Sequence, residues 1–155
     1  MEALIQNGNF WAILGAVIAF AVAGFGSSKG VGIAGQAGAG VLSEDPDKFV
    51  PVMVLEALPS TQAIYGFVIA FLIIGKITTG GTLPFTSGML LLLAGMPVGL
   101  VGLVSAIFQG KVAAAGINMI AKQAGGMGKA VILALMVEMF AILSLIVSML
   151  MIGKV

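Results

Sequence analysis

MGKAVILALMVEMFAILSLIVSMLMI, residues 127–152, carries one lysine near its start and a single acid, Glu138, in an otherwise uncharged run. Crossing about 30 Å of hydrocarbon takes about 20 helical residues, so this run predicts a transmembrane helix with a carboxylate near its middle. Working back along the chain, residues 10–41, 49–76 and 85–122 form three more apolar segments of sufficient length. Between them lie LSEDPDK (42–48), ITTGGTLP (77–84) and QAGG (123–126), whose Gly, Pro, Asp and Thr content is that of turns. The expectation is an all-α membrane protein: one membrane domain over residues 1–155, built from four transmembrane helices joined as tight hairpins.

Composition agrees and narrows the chemistry. Sixty per cent of the 155 residues are apolar and 8% are charged, whereas a water-facing surface needs roughly a quarter charged residues. All seven cations are lysines and no basic run exists, so the footprint of a nucleic-acid binder is missing. Without cysteine or histidine, disulfides, zinc sites of the usual N/S kind and imidazole catalysis are excluded. The chain has no GxxxxGK[ST] loop for nucleotide phosphates. Residues 1–9 hold Glu2 but no lysine, which lacks the basic start of a cleaved signal peptide. Lys48, Lys122 and Lys129 flank the first and third connections, against Lys76 and Lys154 at the other end; the positive-inside rule places both termini outside.

The chain also repeats. KGVGIAGQAGAGVL from Lys29 lines up with QGKVAAAGINMIAK from Gln109, and AIYGFVIAF from Ala63 with AILSLIVSM from Ala141. This reads as a duplicated hairpin, residues 10–76 and 85–152, in which Ser60 takes the place of Glu138. Glycines 24, 26, 30, 32, 35, 38 and 40 stud the first helix, and Gly110, Ala113, Ala114, Ala115 and Gly116 the third. In lipid, small residues let helix backbones approach closely, which points to tightly packed inner helices of a ring or bundle.

An ionised carboxylate at mid-membrane costs at least about 2.5 kcal/mol unless neutralised, so Glu138 needs a proton, a metal ion or a lysine. Counted from the helix ends, Gln62 and Gln109 lie near its level. Leu58, Thr61, Gln62 and Tyr65 follow i, i+3, i+4, i+7 and share one helix face. Pro59 supplies no N–H, so the Leu55 carbonyl loses its normal donor and the backbone bends. A carboxylate, two amide oxygens, a hydroxyl and a freed carbonyl form an all-oxygen set that suits a hard cation such as sodium. From spacing alone, the same groups are also explained as interhelical hydrogen-bonding partners, and a proton would need only the carboxylate. A secondary transporter also combines internal repeats with a mid-membrane acid, although these repeats are parallel. A structural pore leaves the convergence of Gln62, Gln109 and Glu138 unexplained.

LPSTQAIYGFVIAF from Leu58, IFQGKVAAAGI from Ile107 and VEMFAIL from Val137 closely resemble the four-helix proteolipid of V-type rotary ATPases, in its sodium-pumping bacterial branch. The likeness covers essentially the whole chain. It implies a non-catalytic subunit of a membrane rotor ring of identical subunits, turning against a stator subunit that supplies an arginine and coupled to a central stalk. It further implies that Glu138, Gln109, Gln62, Thr61 and the Leu58 carbonyl bind Na+, with Tyr65 hydrogen-bonding the carboxylate as a lid, in a prokaryotic plasma membrane. Two residues depart from the expected pattern. Ser60 stands where glycine is expected. Glu56 is a second acid in the second helix, where a neutral residue is expected; pairing with a lysine such as Lys111, or with water, accounts for it, and a way-station for ions is the alternative.

Overall fold

A computed structural model describes residues 5–77 and 81–155; Glu2 and loop residues 78–80 lie outside that description. Helix α1 runs Gly8–Glu44, α4 Phe85–Lys122 and α5 Met127–Ile152, while the second span is split into α2, Phe49–Ala57, and α3, Thr61–Gly75. All four spans are long and apolar enough to cross a membrane, as expected. The Asn7 side chain starts α1 by accepting the Asn9 N–H at 2.9 Å, a capping bond that satisfies one of the helix's orphan donors. Short 3-10 turns at Pro46–Lys48 and Ala124–Gly126 close the two hairpins at one end. Lys48 ties these turns together, donating to the Ala121 carbonyl at 2.7 Å and pairing with Asp45 at 3.2 Å. At the other end the start of α1 is bonded to the segment entering α4, through Gly8 N–H to Leu83 O at 3.1 Å and Asn9 to both Gly81 and Leu83.

Pro59 breaks the second span. Residues Leu58–Ser60 form a 3-10 turn in which the Thr61 N–H reaches the Leu58 carbonyl, and the Ala63 N–H turns to Ser27 Oγ on α1 at 2.9 Å. Pro97 has a milder result. Helix α4 continues through it, with the neighbouring Val98 N–H 3.3 Å from Ser148 Oγ on α5. The difference follows from support: α4 is packed against both α1 and α5, so the helix carries on past the proline instead of breaking.

The largest helix contact is between α1 and α4, with α2–α3 flanking α1 and α5 flanking α4. Here glycine is required. A Cβ at Gly110 would lie 2.5 Å from Gly30 Cα, and one at Gly15 would lie 2.7 Å from Leu92 Cα, closer than carbon atoms can approach. The glycine-rich run of α1 divides by role. Gly26 and Gly30 abut α4, Gly35 and Gly38 abut Glu56 and Val52 of α2, and Gly24, Gly32 and Gly40 meet nothing within 4 Å.

These contacts also correct the register of the repeat. Gly38 faces Val52 and Gly116 faces Ala130, so corresponding positions lie 78 residues apart (38 to 116, 52 to 130) in both helices of the hairpin. Ala63 with Ala141 and Ser60 with Glu138 keep that spacing. The pairing of Lys29 with Gln109 does not: the counterpart of Gln109 is Val31. Both stretches are runs of glycine and alanine, in which a two-residue slip sacrifices little similarity.

Glu56 is not paired with Lys111 inside the chain. Its carboxylate lies against Gly35 and Gly38, whereas Lys111 Nζ sits 4.9 Å from the centre of the Phe108 ring. Among the described residues the ion pair is Lys48 with Asp45.

Candidate functional site

Glu138 projects from the middle of α5 into the packing of α3, α4 and α5 and is 5% exposed. Both of its oxygens are engaged. Tyr65 donates its hydroxyl to Oε1 at 2.5 Å, and Gln109 donates an amide N–H to Oε2 at 3.2 Å while lying 3.2 Å from the Ala134 carbonyl. Gln109 Oε1 in turn accepts from Gln62 Nε2 at 2.6 Å. Gln62 Oε1 is 3.3 Å from the Thr61 hydroxyl, which donates to the Leu58 carbonyl at 3.0 Å. Glu138, Gln109, Gln62, Thr61, Leu58 and Tyr65 are thus joined in one continuous network, and both glutamines are fully buried.

Local structure explains the convergence. The turn forced by Pro59 ends at Ser60, so Thr61 folds its hydroxyl back over the Leu58 carbonyl three residues earlier. The next residue, Gln62, faces α4, and Tyr65, one turn further along α3, reaches α5. Helix α3 meets α5 because the small residues of α1 and α4 draw the two hairpins together.

Two serines, one within this network and one beside it, escape the sequence reading. Ser105 Oγ lies 3.3 Å from Gln62 Nε2 and donates to the Val137 carbonyl at 3.0 Å, bridging all three outer walls of the site. Its position one turn before Gln109, on the same face of α4, is the signal that could have found it. Ser27 accepts from the Ala63 backbone and steadies the start of α3; nothing in sequence spacing marks it. Among the described residues no buried side-chain nitrogen or oxygen lacks a partner, and buried polar groups left without partners cost heavily in lipid.

The donor set is one carboxylate with neutral oxygens, and among the described residues no three His, Cys, Asp or Glu side chains cluster as a metal site. Hard monovalent or divalent cations take such oxygen sets, and soft metals do not. Adjacent to the site, the outer face of α4 and α5 carries an open apolar groove of about 650 Å³ lined by Leu100, Val104, Phe108, Val137 and Phe140.

Known proteins share this plan. The profile of the ATP synthase C-subunit family matches the chain twice, over residues 14–73 and 92–151, two equal stretches at the 78-residue spacing of the packing contacts. The chain is 44% identical over 154 residues to the V-type sodium ATPase subunit K of Enterococcus hirae, covering 98% of this chain and 97% of that protein. It is 43% identical to the A-type ATP synthase subunit K of Methanocaldococcus jannaschii, over 89% of this chain and 61% of that protein. Against the 16 kDa proteolipid of the V-type proton ATPase of Nephrops norvegicus, identity is 29% over 74% of this chain and 72% of that protein. With a doubled family match, four membrane-length helices and near full-length similarity to a subunit K, the chain belongs to the ATP synthase C-subunit family.

Proposed function

We propose that this membrane protein is a rotor-ring proteolipid of a V-type ATPase that carries one Na+ per chain, held by Glu138, Gln109, Gln62, Thr61 and the Leu58 carbonyl, with Tyr65 closing over the carboxylate. The observation that carries the reading is the setting of Glu138. Its carboxylate is buried in the middle of α5 and joined to Tyr65 and Gln109, in a network whose other oxygens are neutral. An anion at mid-membrane needs a positive partner, and Leu58 O, Thr61 Oγ1 and Gln62 Oε1 lie together on the neighbouring helix. The subunit K of Enterococcus hirae belongs to a sodium ATPase, which supports the same ion.

In this reading the chain is a single membrane domain of two hairpin repeats, residues 10–76 and 85–152, and identical subunits close a ring in a prokaryotic plasma membrane with both termini outside. An ion loaded from the cytoplasmic side neutralises Glu138 and lets the site pass lipid. An arginine of a stator subunit then competes for the carboxylate and releases the ion. Driving each elementary charge against 100 mV takes about 2.3 kcal/mol, which ATP hydrolysis elsewhere in the complex delivers through the central stalk. One acid per four helices gives half the ions per turn of an equal number of helices arranged as two-helix subunits, a gearing suited to steep gradients.

The test is the rate at which a hydrophobic carbodiimide, which attacks the protonated acid, labels Glu138 across a pH series with and without sodium, using potassium as ionic-strength control. Saturable protection by sodium that is competitive with protons is expected. Labelling that follows pH alone would make the site proton-specific and return Thr61, Gln62 and Gln109 to interhelical bonding.

Tyr65→Phe removes one hydrogen bond to a charged acceptor, a contribution of about 1.5–3 kcal/mol. Sodium is expected to protect Glu138 in this variant only at concentrations at least about tenfold higher, with faster ion exchange. Unchanged protection would show that the hydroxyl is no lid.

A further inference from the structure

The outward sides of the two hairpins carry opposite charges at one level. On the α1–α2 side a groove of about 330 Å³ is lined by Val31, Val52, Met53, Glu56 and Ser60. On the α4–α5 side a groove of about 350 Å³ is lined by Phe108, Lys111, Ala115, Ala130 and Leu133. Glu56 is half-buried against Gly35 and Gly38 and has no ion-pair partner among the described residues.

The internal repeat indicates how a second copy would sit. Inside the chain, the α4 face bearing Gly95, Gly102 and Gly110 receives α1. At the 78-residue spacing its counterpart on α1 is Val17, Gly24 and Gly32, which lies open: no Cβ added at Gly24 or Gly32 would meet any atom within 4 Å. The α1 face that fills α4, at Gly15, Gly26 and Gly30, has its counterpart on α4 at Leu93, Val104 and Phe108, each about half exposed. Repeating the internal contact therefore brings the α4–α5 side of one copy onto the α1–α2 side of the next, head to tail. Gly35, against which Glu56 rests, corresponds to Ala113, two residues and about 3 Å of helix rise beyond Lys111. The two charges meet at one depth.

We propose that Glu56 forms an ion pair with Lys111 of the adjacent identical subunit, setting the register and direction of the ring contact. The proposal rests on the ring reading above. Closing the interface withdraws both groups from water, a cost of several kcal/mol for either alone that the other offsets. Lys111 has the reach, because its Nζ lies over Phe108 on the α4 face that meets the next copy and its flexible stem can swing along it. Charge opposition across the contact also rejects the head-to-head arrangement, which would set Glu56 against Glu56.

The test uses rings purified in mild detergent, with subunit loss followed by native mass spectrometry. Glu56→Lys and Lys111→Glu are each expected to lose subunits at least about tenfold faster than the unmodified ring, and the double reversal to return to within about threefold. A double variant no better than the singles overturns the pairing. So do single reversals that leave the ring unaffected. An unmodified protein that is monomeric under these conditions removes the ring reading itself, a result distinguishable from the other two. Since the natural sequence has no cysteine, proximity can be read separately: chains carrying Glu56→Cys and chains carrying Lys111→Cys, co-expressed and treated with a short bismaleimide, are expected to yield covalent dimers that neither variant yields alone. Absence of the mixed dimer in intact rings counts against the contact.

Discussion

Glu138→Gln is expected to abolish saturable sodium binding by the purified protein, lowering affinity more than about a hundredfold. The substitution keeps size and shape but removes the only charge in a network whose other members are neutral amides, hydroxyls and a carbonyl. A cation among neutral oxygens at mid-membrane keeps its full charge, with a penalty of at least about 2.5 kcal/mol. Stripping one partner from a buried ion pair costs about 3–5 kcal/mol. Glutamine also brings N–H donors to a place where Tyr65 and Gln109 already donate, so one bond is lost or Gln109 must turn and release Gln62. Equilibrium binding of radioactive sodium decides the matter. Retention within tenfold of the unmodified affinity would remove Glu138 from the ligand set, whereas Glu138→Asp, which preserves charge but draws the carboxylate back from Tyr65, is expected to fall between the two.

Gly110→Val should be among the most damaging substitutions in the α1–α4 contact. Its Cβ would stand 2.5 Å from Gly30 Cα and 2.7 Å from the Gly30 carbonyl carbon, so the collision is with backbone and no side-chain rotation relieves it. Overpacking an ordinary core costs about 1–3 kcal/mol. Here α1 and α4 must separate along their central interface, which also loosens α3 from α5 and the network between them. Loss of folded, sodium-protectable protein is expected in detergent extracts. The control is Gly128→Ala, on an exposed turn of α5 where an added Cβ meets nothing within 4 Å; higher helix propensity should leave it neutral or slightly more stable. Equal behaviour of the two variants would show that the α1–α4 approach is not limiting.

Much of this is legible in the one-dimensional pattern. Four apolar runs require four helices, because hydrocarbon leaves backbone groups no partner except one another. The boundaries of α4 and α5 fall where the apolar runs end, whereas α1 extends a few residues beyond its run at each end, to the Asn7 cap at its start and to Glu44 at its close, where the Asp45 N–H still reaches the Val41 carbonyl. Glu138 announces itself by the cost of its charge. The convergence of Gln62 and Gln109 on its level follows from counting 1.5 Å per residue along helices of known ends. Repeat register slips by two residues in the glycine-rich helices, where composition is too uniform to mark position.

What the sequence determined by itself was therefore the number of spans, the duplicated hairpin and the depth of each polar side chain, since all three depend on local hydropathy and helix rise. Rotation of each helix about its axis, and so which polar groups touch, was left to the tertiary structure. Only there did α1 and α4 close on their glycines and bring Ser105 between Gln62 and the Val137 carbonyl, with Ser27 against the broken start of α3. Glu56 was likewise turned away from Lys111 within the chain and laid against Gly35 and Gly38. The physical reason is that apolar faces in lipid carry little directional information: helix rotation is chosen by close packing of small residues and by satisfying buried hydrogen bonds, and both exist only between segments distant in sequence.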